Sequence, residues 1–76
     1  MSTKHIEKRE ILSLLYKGYK NEHFEKMCRD GKISKDGMEF LMMQAAYGKN
    51  RELFDFLHNE MKITKRYNLL LNYFSK

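Results

Sequence analysis

Residues 37–57 read GMEFLMMQAAYGKNRELFDFL, and this stretch decides the fold. Met38, Leu41, Met42, Ala45 and Ala46 recur at the three- and four-residue spacing that lines up one side of an α-helix. Phe40, Met43 and Tyr47 run down a second side, so a helix over 35–47 is expected to sit between neighbours as the central element. Gly48 stops it. Leu53, Phe56 and Leu57 then restart the pattern in a helix over 51–60.

The same periodicity extends outward to helices over 4–16, 22–30 and 65–75. Each of the five is preceded by a side chain able to cap free backbone N–H groups: Thr3, Asn21, Ser34, Asn50 and Thr64. The first should bury Ile6, Ile11, Leu12, Leu14 and Leu15 and end at Gly18. The second has a narrow stripe of Phe24, Met27 and Cys28, closed by Gly31 as a left-handed cap. Its outer face carries Glu22 four residues before Lys26, and Glu25 four before Arg29. In the last helix Tyr67, Leu70, Leu71 and Phe74 should face the body, with Leu69 and Tyr73 pointing elsewhere.

Composition agrees. Proline and valine are absent and glycine occurs four times, so little interrupts helices and few strand formers exist. Seventy-six residues allow one small domain. The expected class is all-α. A single cysteine, Cys28, permits neither an internal disulfide nor a cysteine-based zinc site. No apolar leader or membrane-length stretch is present, which makes the cytoplasm the expected location. Fifteen Lys and Arg against ten Asp and Glu leave a charge of +5, which favours acidic partners. A free-standing charged protein of this size fits a viral or mobile-element origin.

The elements repeat. Lys20-Asn21 returns as Lys49-Asn50, and Phe24, Met27 and Cys28 return as Leu53, Phe56 and Leu57. Lys32-Ile33-Ser34-Lys35 returns as Lys62-Ile63-Thr64-Lys65 after one inserted residue. The chain thus reads as two and a half stacked helix-turn-helix units of about thirty residues. Within 37–57, Leu41, Ala45, Gly48, Leu53, Phe56 and Leu57 stand at matching spacings, and the segment resembles a degenerate ankyrin repeat. The family's Thr-Pro-Leu-His opening is replaced by Glu39-Phe40-Leu41-Met42, and Glu60-Met61-Lys62-Ile63 stands where its Gly-rich finger belongs. The resemblance implies protein binding without enzymatic activity.

No catalytic constellation emerges. His5, His23 and His58 form no close pair with one another or with Cys28, and Glu22, Glu25, Glu52 and Asp55 sit beside bases on outer faces. Neither phosphate-binding glycine fingerprint is present. No cofactor, metal or small-molecule substrate is expected. A DNA-reading helix-turn-helix placed on Phe24 to Met43 fails, because Met27 and Gly37 fall where small and aliphatic residues belong.

Two surface features remain. Lys17, Lys20, Lys49 and Arg51 gather at the turns within hairpins, and Lys32, Lys35, Lys62, Lys65 and Arg66 at the loops between them. With Tyr16, Tyr19 and Tyr47 near the first row, such edges suit RNA or single-stranded nucleic acid. The unfinished third unit leaves Leu69 and Tyr73 on an uncovered side, where a larger protein, or a second copy of the chain, is expected to pack. A protein-binding adaptor or inhibitor is the first reading, and a basic nucleic-acid-binding protein the second.

Overall fold

A computed structural model describes residues 5–75. It is all-α. Helix α1 spans Lys8–Tyr16, α2 Asn21–Arg29, α3 Lys35–Tyr47, α4 Arg51–Asn59 and α5 Tyr67–Leu71, followed by a 3₁₀ turn over Asn72–Phe74. Helix α3 packs on α1, α4 and α5, and α2 packs on α4. Thus α1, α3 and α5 make one contiguous row, α2 and α4 a second, and the centre belongs to α3, the helix with apolar residues on two sides. One core joins them, built from Ile11, Phe24, Ile33, Leu41, Met42, Leu53, Phe54, Leu57 and their smaller buried neighbours.

The helix ends explain the chain reversals. After α1, Gly18 is left-handed (φ 82°), and Tyr19 N–H donates to Leu14 O at 3.1 Å. After α2, Gly31 does the same (φ 75°), with Lys32 N–H on Met27 O at 2.9 Å. Both are Schellman-type closures, which satisfy carbonyls the last helical turn leaves free. After α3 the left-handed residue is not Gly48, whose φ is −90°, but Lys49 at 58°. Asn50 N–H then reaches Ala45 O at 2.7 Å. After α4 it is Lys62 (φ 61°), and Ile63 N–H reaches back to Leu57 O at 3.0 Å. That loop is one residue wider, which accommodates the residue inserted before Lys62.

Two of the expected caps act as expected. Ser34 Oγ accepts from Gly37 N–H at 3.1 Å, and Asn50 Oδ1 from Leu53 N–H at 3.2 Å. Asn21 does not cap. The residue flanking α2 is Lys20, and Asn21 instead exchanges side-chain hydrogen bonds with Asn50, at 3.0 and 2.6 Å. Thr64 lies too early, because residues 65–66 form a turn and α5 starts at Tyr67 after a left-handed Arg66 (φ 62°). Thr3 lies outside the described residues.

Helix α1 also starts late, since Ile6 forms an isolated parallel bridge with Ile33 and donates its N–H to Lys32 O at 3.0 Å. The motif Ile6-Glu7-Lys8 therefore leads into α1 as Ile33-Ser34-Lys35 leads into α3. Gly37 lets the Ile33 side chain pack against the first turn of α3: a Cβ there would lie 2.8 Å from Ile33 Cγ2 and 3.5 Å from Ile11 Cδ1.

The ion pairs differ from those the i, i+4 spacing suggested. Lys26 pairs forward with Asp30 at 3.0 Å, and Arg29 leaves its own helix for Glu60 at the end of α4, at 2.6 Å. The same guanidinium lies over the Phe56 ring, 5.0 Å from the centroid, so two residues of the α4 end hold Arg29.

Candidate functional site

Burial first narrows where function can lie. Among the described residues, no three His, Cys, Asp or Glu side chains stand together to hold a metal ion. Cys28 is buried, and burial, reinforced by Glu25 and opposed by Arg29, pushes its thiol up to about 11. It stays protonated at neutral pH and is a poor nucleophile. His58 is engaged in structure: its Nδ1 donates to Ile63 O at 3.0 Å and its ring stacks on Tyr67, centroids 3.6 Å apart. Among the described residues, no helix is long and apolar enough to cross a membrane.

The exposed apolar side chains are concentrated. Among the described residues, the exposed large ones are Leu12, Tyr16, Tyr19, Tyr47, Leu69 and Tyr73, and five of these six belong to the row of α1, α3 and α5 with its 3₁₀ turn. Leu12 was expected in the core, but only Ile11 of α1 is fully buried. The short α1 meets α3 along a single stripe, which leaves Leu12 and Tyr16, one turn apart, on an outer one.

Leu69 and Tyr73 are both exposed. They border a hollow of about 440 Å³ shared with Met43, Tyr47 and Arg66. The Tyr73 ring meets Tyr47 edge-on, centroids 5.1 Å apart, and the Tyr73 carbonyl accepts from Lys49 Nζ. A second hollow, of about 380 Å³, lies on the other side of Tyr47 and is lined by Leu12, Leu15, Tyr16 and Gln44. Tyr47 is thus the partition of one discontinuous apolar strip. Tyr16 is 89% exposed and Leu69 67%, so both are free to be covered.

The body-facing residues of α5 are the expected ones. Leu70 is buried, and Tyr67 and Phe74 flank Phe54 at centroid distances of 5.4 and 4.9 Å. Sequence reasoning missed Phe54 itself, one of the most buried side chains. It stands beside Leu53 and completes an i, i+1, i+4 stripe with Leu57, wider than the pattern used to read α4.

All nine basic side chains assigned to the two edges are exposed. Four are engaged. Lys49 holds the Tyr73 carbonyl, Arg51 pairs with Asp55 at 2.9 Å, Lys65 lies 3.8 Å from Glu39, and Arg66 touches Met43 Sδ at 3.5 Å. Lys17, Lys20, Lys32, Lys35 and Lys62 make no side-chain hydrogen bond or ion pair among the described residues. Tyr19 stands apart from the strip, against His23 and Phe24.

Comparison with protein-family models, with curated proteins and with solved structures finds no match.

Proposed function

We propose that this chain is a small ankyrin-like helical-repeat module that binds a larger protein and performs no chemistry of its own. The carrying observation is the gathering of Leu12, Tyr16, Tyr47, Leu69 and Tyr73 on the row of α1, α3 and α5. Exposed apolar side chains gathered on one face are costly to leave in water unless something covers them. Tyrosine suits such a surface, because it adds apolar area and a polar tip at small entropic cost. The repeat reading is supported by equivalent residues in contact: Asn21 bonds Asn50 across 29 positions, and Ile6 bridges Ile33.

Nucleic-acid binding is the second reading, favoured by the five unengaged lysines and by the exposure of Tyr16. Affinity capture from native cells with nuclease separates the two. On the first reading a protein stays bound after nuclease treatment and is lost with Leu69→Ser/Tyr73→Ser. Release of all bound material by nuclease, or steep loss of binding between low and moderate salt, would overturn it.

A further inference from the structure

Charge is unevenly divided between the two rows. Residues 20–30 and 50–60, which hold α2 and α4, carry six acidic side chains against four basic. The rest of the described chain, which holds the α1–α3–α5 row and its loops, carries nine basic against four acidic. Within the apolar strip the segregation is complete: no carboxylate lines either hollow, and Arg66 is the one charged side chain that does. Lys17 and Lys49 follow directly after Tyr16 and Gly48, at the end of the row where the tyrosines gather. The four acids on this side, Glu7, Glu10, Asp36 and Glu39, lie toward the starts of α1 and α3, away from the tyrosine end, and Glu39 is met there by Lys65.

We propose that the strip takes an acidic segment of a partner protein, whose apolar side chains enter the hollows on either side of Tyr47 while its carboxylates meet Arg66, Lys17 and Lys49. This rests on the protein-binding reading and names the chemistry of the partner. A second copy of the chain is a poor occupant, because face-to-face pairing would bring two basic surfaces together. Single-stranded nucleic acid supplies the negative charge but not the aliphatic side chains for Leu12, Leu15, Met43 and Leu69, and the Tyr47 ring is already engaged by Tyr73.

The test is an amide chemical-shift titration with three probes: a short peptide alternating glutamate with leucine and phenylalanine, the same peptide with alanine at the apolar positions, and oligo-deoxythymidylate. The first peptide should shift Tyr16, Tyr47, Leu69 and Tyr73 and bind at least ~10-fold more tightly than the alanine peptide, as burial of even one large side chain requires. Leu69→Ser/Tyr73→Ser should remove that advantage and leave the weak alanine-peptide binding in place. Equal binding of the two peptides, tighter binding of the oligonucleotide at the same residues, or concentration-dependent self-association through the strip each overturns the proposal. If capture from cells depends on Leu69 while the acidic peptide does not bind, the acidic-segment inference fails and the protein-binding reading stands. Loss of both removes both.

Discussion

Lys49, Lys62 and Arg66 hold φ values of 58°, 61° and 62°, a backbone region that costs an L-residue about 1 kcal/mol. Lys62 shows what that cost does here, because its side chain is exposed and makes no hydrogen bond or ion pair among the described residues. Lys62→Gly should therefore stabilise the protein by ~0.5–1 kcal/mol, a rise of several degrees in Tm for a domain this small. Gly48 makes the contrast. Its φ is −90° and a Cβ would sit 3.5 Å from Gln44 O, an ordinary contact. Thermal denaturation of Lys62→Gly decides the point, and an unchanged or lower Tm would mean the loop does not bear that strain. Sequence reasoning placed the turn at the glycine because glycine is the usual left-handed residue. The hydrogen bond from Asn50 N–H to Ala45 O sets the turn one residue later, at Lys49.

At the scale of the helices, what could be read in advance depended on length. Helices α3 and α4 carry three or more apolar residues per stripe, and their starts at Lys35 and Arg51 agree with the expected ones. Helix α5 was expected from residue 65 to 75, but five residues and a 3₁₀ turn are all that form. So short a helix is not stable alone, and it persists through Tyr67 and Phe74 on Phe54. Those long-range contacts leave no local signal. Nor did the candidate site: the exposure of Leu69 and Tyr73 was legible, but their meeting with Tyr47 follows from how α5 crosses α3. The Asn21–Asn50 exchange is likewise tertiary, and it gives an element-scale prediction. Asn50→Ala removes both the α4 cap and the partner of a half-buried amide, and should cost ~1–2 kcal/mol. Asn21→Ala removes the exchange alone and should cost less. In a double-mutant cycle by chemical denaturation the two losses should fall short of adding, because they share one pair of hydrogen bonds; strict additivity would deny the pairing.

At the scale of the whole molecule, the question is whether two rows of short helices unfold as one body or peel apart from an end. Repeat arrays stabilise mainly through neighbouring interfaces, so they can fray unit by unit. Here the buried side chains form one cluster from Ile11 to Leu70, which favours a single transition. Cys28 can report on this from the α2 side. Its thiol is buried and held protonated, so a thiol reagent reaches it only when the structure opens. Phe54 lies in α4, under Tyr67 and Phe74. Replacing it with leucine should cost ~1–2 kcal/mol by leaving part of its volume empty. If the molecule opens as one body, that loss transfers in full to Cys28, and labelling accelerates by the factor the equilibrium measurement gives, roughly 5–30-fold. If the end carrying α5 opens by itself, the melting of Tyr67 and Phe74 contacts shifts while the labelling rate of Cys28 stays as it was. The first result is expected, because α3 touches α1, α4 and α5 alike and α4 carries the contact on to α2, so no helix can leave without uncovering the residues its neighbours need buried.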